Sequence, residues 1–235
     1  MIPEKVHYCW LSGSEYDLKT KKCLESWKKN LKNYDFFLWT MQNLPIEVIN
    51  SESFQYFVRK KLWAFAADYV RIWALKEFGG IYLDMDVEVL KDFRPLLEKE
   101  TSLIIGIEGT NIGGHFIAAI PNNIFIDKVF TILKSKTNLM PLPVVMRQAF
   151  DEWGEKLIPI EKEDLLLLPA EYFNPFLWDE EKKSGELKTT KNTYCIHWYR
   201  GSWIPRYKKN FLYKKLVFFL DKMGIISILR KIRGF

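Results

Sequence analysis

Two carboxylates one residue apart, Asp84 and Asp86, follow the pair Gly79-Gly80 and a short apolar run. In an extended backbone, alternate side chains point to the same side, so both carboxylates could converge on one hard cation. Phosphate oxygens and water would complete the coordination of that cation, an arrangement that suits a metal-bound diphosphate. The same spacing also arises at solvated strand ends and turns, so the residues around it decide its meaning.

The residues before the glycine pair indicate a mostly apolar helix, at 63–75, that carries one acid and one base. Asp68 and Arg71 are three residues apart and therefore share a helix face. An ion pair on a surface would contribute only about 0–1 kcal/mol, but charges set among apolar residues usually need a partner or a function. We therefore expect the helix to run into the glycine turn and to bring both side chains close to Asp84 and Asp86.

Short apolar runs with strand character alternate with helical patterns along the chain. Strands are expected at 5–10, 36–40, 81–84, 102–107, 116–120 and 192–198, and helices at 18–31, 53–78 and 124–134. This alternation predicts an α/β fold. A length of 235 residues, 48% of them hydrophobic, fits one well-buried domain and is too short for two large ones.

The cysteines and the apolar runs bear on the compartment. Cys9, Cys23 and Cys195 are far apart in apolar segments and predict neither a disulfide framework nor a zinc site. The first residues lack the basic start and apolar stretch of a signal peptide, and no apolar run approaches the roughly 18 residues of a membrane span. A reducing, cytoplasmic location is therefore the expectation.

Charge is distributed unevenly along the chain. The net charge is +6, whereas residues 206–235 alone contain nine basic side chains and one acid, Asp221. Bulky apolar residues recur there at roughly helical intervals, which predicts a basic amphipathic tail that binds an anionic membrane surface. Packing on the domain and an oligomer contact are the alternatives. A nucleic-acid partner is not expected, because the basic excess is confined to the tail and is accompanied by much aliphatic surface.

Ordered blocks of sequence surround the candidate residues and span most of the chain. They are a strand-like start at 2–10, a helical block at 23–28, the helix at 64–71, the Asp-x-Asp block at 79–87, and two late blocks at 195–198 and 201–203. Together they resemble glycosyltransferase family 32 and its relatives, whose sugar-binding region carries an Asp-x-Asp motif.

The resemblance implies a fold and a metal site. The fold is a single nucleotide-sugar-binding domain of the GT-A type at residues 1–205, with a mixed, mainly parallel sheet, followed by the tail at 206–235. The cofactors are a divalent cation, Mn²⁺ or Mg²⁺, and a nucleotide sugar as donor. Asp86 is expected to bind the metal directly, with Asp84 as its companion and His197 as the third ligand.

The resemblance also implies a donor pocket. Trp10 offers a flat face on which the base can stack, and Tyr8 and Leu11 lie beside it in the sequence. Ser202 and Trp203 can donate a hydroxyl and an indole N–H to phosphate oxygens.

The helix and the strand complete this implied site. Asp68 and Arg71 are expected to hold sugar hydroxyls and phosphate, with Tyr82 lining the same pocket. The expected catalytic residues are Asp68, Arg71, Asp84 and Asp86. No residue is identified as a nucleophile, although a glycine-rich loop expected at 108–115 could approach the reacting sugar.

The implied function is a metal-dependent, retaining glycosyltransferase that uses a nucleotide sugar, with a UDP sugar favoured. Its acceptor would be a glycan or a lipid-linked molecule in bacterial surface polysaccharide synthesis, and the tail favours work at the inner face of the cytoplasmic membrane. A nucleotide-sugar hydrolase or nucleotidyltransferase is one alternative. A noncatalytic module that binds a membrane or a partner through the tail is the other.

Overall fold

The computed structural model of the protein describes residues 1–135, 140–176 and 189–199. Its helices are α1 (Leu18–Asn30), α2 (Ile46–Ile49), α3 (Glu52–Arg59), α4 (Trp63–Phe78), α5 (Arg94–Leu97), α6 (Ile124–Ser135) and α7 (Leu142–Trp153), with a 3-10 turn at Ala170–Tyr172. Its strands are β1 (Lys5–Cys9), β2 (Asp35–Trp39), β3 (Gly80–Leu83), β4 (Val87–Val89), β5 (Leu103–Glu108), β6 (Asn111–Ala119), β7 (Ile160–Lys162), β8 (Leu165–Leu168) and β9 (Cys195–His197). The tail predicted at 206–235 lies outside the described residues.

Seven of these strands form one mixed sheet in the order β2-β1-β3-β6-β5-β8-β7. Strands β1, β2 and β3 run parallel to one another, and β6 runs antiparallel to both β3 and β5. Strand β8 is parallel to β5, and β7 is antiparallel to β8. Five of the seven strands therefore point the same way, which confirms the mixed, mainly parallel α/β sheet expected from the sequence.

The sheet has a hydrophobic cluster on each face because its central strands are buried on both sides. On one face, Tyr82 and Ile117 pack among the apolar side chains of α3, α4, α6 and α7. On the other face, Ile81 and Phe116 pack against α1 and α5. The three cysteines are buried and free. Within the described ranges, no helix combines the length and apolarity that a membrane crossing requires.

The junction between α4 and β3 fixes where the Asp-x-Asp segment emerges. Gly79 caps α4 with φ 60° and ψ −163°, a conformation open essentially only to glycine. A Cβ on Gly79 would lie 2.6 Å from both the ring Cδ and the backbone N of Pro121. The close approach lets the chain leave the helix and enter the sheet beside β1.

Two local predictions were wrong. Strand β3 ends at Leu83, and Asp84–Val87 is a turn in which the N–H of Val87 donates to the carbonyl of Asp84 at 3.0 Å, so the carboxylates do not share an extended strand. The glycine-rich segment at 108–115 is not a loop, because β6 begins at Asn111 and pairs with Glu108 in a tight hairpin.

Candidate active site

A turn at the end of β3 presents Asp84 and Asp86. The N–H of Asp84 donates to the carbonyl of His115 on β6 at 3.0 Å, which fixes the start of the turn. Strand β3 runs parallel to β1, so the turn leaves the same edge of the sheet at which β1 ends. The two carboxylates converge because the turn folds the chain back, whereas the sequence analysis attributed their convergence to strand alternation.

A small two-stranded sheet brings His197 to the same place. Strand β4 pairs with β9 in antiparallel fashion, with Val87 opposite His197. The N–H of Trp198 donates to the carbonyl of Asp86 at 3.0 Å and extends this pairing into the turn. Helix α1 supports β4, because the indole N–H of Trp27 donates to the carbonyl of Val87 at 2.7 Å.

Three side chains form a candidate metal centre. One ligand atom each from Asp84, Asp86 and His197 lies within 4.8 Å of the other two. The Nε2 atom of His197 is 3.4 Å from Oδ1 of Asp86, and its Nδ1 is buried with no hydrogen-bond partner among the described residues. Two carboxylates suit Mg²⁺ or Mn²⁺, and the imidazole shifts the preference toward Mn²⁺. The site thus brings together the three ligands expected from the sequence and fits a divalent cation.

The charge around His197 is strongly negative. Burial acts to lower the pKa of His197, but the neighbouring Asp86 and Asp84 outweigh burial and raise it. A group of acids that favours a proton on a nearby imidazole also favours a cation bound between them.

Arg71 is buried beneath the carboxylates and lies only 5% exposed. One Nη atom of its guanidinium lies 2.6 Å from Asp84 and 3.2 Å from Asp68, and the other donates to the carbonyl of Gly114. Burial acts to lower the pKa of Arg71, but the charge of Asp84 is the largest of the effects that raise it. In this arrangement Arg71 holds acids in place, whereas the resemblance implied contact with phosphate.

Tyr82 and Asp68 both contact Arg71 within the site. The ring of Tyr82 is 1% exposed and lies under the guanidinium of Arg71, with 4.3 Å between the ring centroid and Cζ. Burial raises the pKa of Asp68 to about 6, although Arg71 acts against this increase. Tyr82 therefore supports Arg71 from below, while Asp68 lies beside an apolar pocket lined by Phe57 and Phe65.

The residues expected around the base occupy different environments. Trp10 follows β1 at the sheet edge from which the Asp84 turn emerges, and its ring packs edge-on against Tyr16 at 4.9 Å. Tyr8 packs edge-on against Trp27. Leu11 is 6% exposed and belongs to the hydrophobic core. Ser202 and Trp203 lie outside the described residues.

Behind His197 lies a buried group that the sequence analysis did not assemble. The ring of His115 stacks on that of His197 with 4.4 Å between centroids, and Tyr199 approaches His197 at 4.1 Å. Glu108 contacts His115, with 3.5 Å between Oε2 and Nδ1. The sequence offered Glu108 and His115 as possible contacts of the reacting sugar in a glycine-rich loop and did not connect them with His197, and no signal singled out Tyr199.

Another contact joins the two strands that carry the site. The indole N–H of Trp198 donates to the carboxylate of Glu88 at 3.0 Å. This bond crosses from β4 to the residue after β9 and steadies their pairing. Sequence spacing alone gave no reason to connect these two residues, because they are 110 positions apart.

Comparisons with known proteins show what this chain resembles. Residues 18–103 match the family described as a glycosyltransferase sugar-binding region containing a DXD motif. An uncharacterized glycosyltransferase of Acanthamoeba polyphaga mimivirus is 24% identical over 94% of this chain and 92% of its own. Inositol phosphoceramide mannosyltransferase 1 of Schizosaccharomyces pombe is 24% identical over 53% of this chain, which spans only 40% of that relative.

A solved structure, the PaToxG glycosyltransferase, superimposes with a TM-score of 0.52 over 65% of this chain and 69% of its own, at 19% identity. This likeness confirms the GT-A-type fold. The matched segment contains the helix with Asp68 and Arg71 and the turn with Asp84 and Asp86. On this evidence, the chain is similar to glycosyltransferases whose sugar-binding region contains a DXD motif, and residues 18–103 match that region.

Proposed function

We propose that this glycosyltransferase is metal-dependent and takes its sugar from a nucleotide diphosphate sugar. The observation that carries the proposal is the convergence of Asp84, Asp86 and His197 within 4.8 Å. Their oxygen and nitrogen atoms would hold Mn²⁺, or Mg²⁺ as a weaker fit. When bound there, a divalent cation neutralises the charge that develops on the departing diphosphate.

The chain's own side chains supply position and charge. Arg71 fixes the carboxylate of Asp84 through a 2.6 Å ion pair, so that carboxylate does not have to reorganise when the donor binds. Asp68, partly exposed beside the apolar pocket, offers oxygens that can accept hydrogen bonds from sugar hydroxyls. The catalytic group that we propose consists of Asp68, Arg71, Asp84 and Asp86.

We place the base of the donor at the end of β1. Trp10 is the aromatic side chain at the sheet edge shared with the Asp84 turn, and an indole face suits stacking of a base. A UDP sugar is the favoured donor by family resemblance. The names of two relatives specify mannosyl transfer to inositol phosphoceramide, so GDP-mannose belongs among the donors to be tested.

The reaction that we propose retains the configuration of the sugar, as the family resemblance implies. Such transfer can use the leaving phosphate to assist the acceptor hydroxyl, so it does not require a protein nucleophile. A lipid-linked or glycan acceptor for a bacterial surface polysaccharide would be met at the cytoplasmic membrane through the basic segment at 206–235.

The test is calorimetric titration of the purified chain with UDP- and GDP-sugars, with and without Mn²⁺. We expect one donor to bind only when the metal is present. The substitution Asp86→Asn should abolish this metal-dependent binding while leaving the protein folded. Asp164→Asn is the matched control, because Asp164 is exposed in the turn between β7 and β8.

Three outcomes would contradict the proposal. Equal donor affinity with and without Mn²⁺ would remove the metal from the mechanism. Donor binding that survives in Asp86→Asn would remove that carboxylate from the metal site. Release of free sugar at the same rate with and without a glycan or lipid acceptor would favour the hydrolase instead.

A further inference from the structure

Two other rings pack against the imidazole of His197. The ring of His115 stacks on it at 4.4 Å with an interplanar angle of 19°. The ring of Tyr199 lies 4.1 Å away at 40°. We call His115 and Tyr199 the ring clamp, because they restrict rotation of His197 about its side-chain bonds.

Both members of the ring clamp lie next to Glu108. Its Oε2 lies 3.5 Å from Nδ1 of His115, which is an electrostatic contact and not a hydrogen bond, because Nδ1 has no hydrogen-bond partner among the described residues. The hydroxyl of Tyr199 accepts a bond from Asn174 at 3.3 Å, and burial together with the nearby Glu108 carboxylate raises the pKa of this hydroxyl. One carboxylate at the end of β5 thus lies close to a ring from β6 and to a ring that follows β9.

The backbone is adapted to this arrangement at two positions. A Cβ on Gly113 would lie 2.8 Å from His115 and 3.0 Å from Oε2 of Glu108, so only glycine leaves room for their contact. Tyr199 has φ 42°, a left-handed conformation that side chains other than glycine rarely adopt. Strain of this kind persists only where surrounding contacts hold it, and here the contacts are those with His197, Asn174 and Glu108.

We propose that Glu108 is a positioning residue that acts through the ring clamp to hold His197 in the orientation required for metal binding. This inference rests on the proposed metal site. Metal-bound imidazoles depend on surrounding groups for their orientation, and loss of such groups typically weakens metal binding 10- to 100-fold. Here the orientation comes from contact with two rings rather than from a hydrogen bond to Nδ1, which has no partner among the described residues.

The first measurement is the affinity of the protein for Mn²⁺ in the absence of donor. Electron paramagnetic resonance of free Mn²⁺ monitors the binding. We expect Glu108→Ala to raise the Kd for Mn²⁺ about 10- to 100-fold. Glu108→Gln keeps the volume and one acceptor, so its Kd should rise less, and it provides a variant in case Glu108→Ala does not fold. The control is Glu163→Ala, an exposed acid in the turn between β7 and β8, which should leave the Kd unchanged.

A double-mutant cycle separates positioning from general destabilisation. Tyr199→Phe removes only the hydroxyl that reaches Glu108, so it should weaken Mn²⁺ binding in the wild-type background. Its effect should be smaller in Glu108→Ala, because there only the bond from Asn174 remains to be lost. Additive effects of the two substitutions on the Kd would overturn the proposal.

Nuclear magnetic resonance of the metal-free protein tests the clamp independently of the metal. The chain has three histidines, so their ring signals can be assigned by substitution. In Glu108→Ala we expect the His197 ring signals to shift and broaden, while those of His7 stay unchanged. Unchanged His197 signals would overturn the clamp.

The two measurements distinguish the failure of one proposal from the failure of the other. If Asp86→Asn loses Mn²⁺ binding but Glu108→Ala binds as wild type, the metal site stands and the positioning role is wrong. If the wild-type protein does not bind Mn²⁺, the proposed function fails, and the positioning role toward the metal fails with it whatever the ring signals show.

Discussion

At the residue scale, Arg71 links the helix that precedes the site to the turn that forms it. Its guanidinium contacts Asp68 on its own helix, Asp84 on the turn and the carbonyl of Gly114 on β6. Three elements therefore meet at the buried guanidinium of Arg71. Removal of this guanidinium would leave two carboxylates without a compensating charge, which should lower both the stability of the protein and its activity.

Arg71→Met should lower the free energy of unfolding by about 3–5 kcal/mol, the usual cost of removing one partner from a buried ion pair. The stability of Arg71→Lys should fall between that of the wild type and that of Arg71→Met, because an ammonium group lacks the planar fork that reaches several acceptors. Urea unfolding measures these differences. Arg147→Met is the control, since Arg147 makes a surface pair with Asp151, and its loss should be about 1 kcal/mol or less. Equal losses at both arginines would contradict the structural role of Arg71.

His7 makes stability depend on pH in a predictable direction. Its Nε2 lies 2.9 Å from the carbonyl of Gly79, so it carries the proton, and its Nδ1 accepts from the indole of Trp39 at 3.2 Å. Burial is the main reason that the pKa of His7 falls to about 4. The folded state therefore binds fewer protons than the unfolded state below pH 6.5, and stability decreases as the pH falls from there to about 4.

The contribution lost between pH 7 and pH 4 should be about 3 kcal/mol. Urea unfolding at pH 7, 5.5 and 4 checks this value. His7→Gln cannot gain a proton, so its stability should change less over the same range. Stability curves that stay parallel for the two proteins would show that His7 does not contribute to the pH dependence.

The residues of the site also show which of its features can be predicted from the sequence and which cannot. The types and spacing of Asp84 and Asp86 predicted a metal site only together with the apolar helix before them and the family resemblance, because the same spacing also arises at solvated strand ends and turns. The reason for their convergence was missed, since the bond between Val87 and Asp84 that closes the turn carries no signal in the residue types. Tyr199 was missed for a similar reason, because its left-handed backbone is not expected of a tyrosine.

At the element scale, long periodic segments were predictable and short non-local pairings were not. Helix α4 and strands β1 and β5 have apolar patterns that specify them locally. Strands β4 and β9 have three residues each and exist because they pair with each other across more than 100 positions. That pairing places His197 at the site. A strand was expected at 192–198, but β4 and its pairing with β9 were not visible in the sequence.

The glycine between α4 and β3 should be the least tolerant of a side chain. Gly79→Ala combines a backbone conformation that disfavours Cβ with contacts of 2.6 Å to Pro121, and we expect a loss of about 3 kcal/mol or more in unfolding free energy. Gly154→Ala is the matched control. Gly154 also has a positive φ, 85°, but a Cβ there meets nothing within 4 Å, so its loss should be about 1–2 kcal/mol. Similar losses in urea unfolding would show that the close approach to Pro121 is easily relieved.

At the scale of the whole molecule, charge divides the chain into two parts. The chain carries +6, and residues 206–235 contribute nine basic groups against one acid, so the preceding residues are slightly acidic. The net negative charge of the catalytic region does not attract it to an anionic lipid surface. Any electrostatic attraction to such a surface must therefore come from the last 30 residues.

Truncation after Pro205 should therefore abolish co-sedimentation with vesicles that contain anionic lipid, since each basic side chain near such a surface contributes about 1 kcal/mol. The full chain should sediment with phosphatidylserine vesicles, sediment less at high salt, and sediment least with neutral phosphatidylcholine vesicles. Replacement of Lys214 and Lys215 by glutamate in the full chain is the matched control, because it keeps the apolar residues and reverses two charges. Equal sedimentation of the full and truncated chains would refute membrane binding by the tail and would favour its packing on the domain or on a second copy.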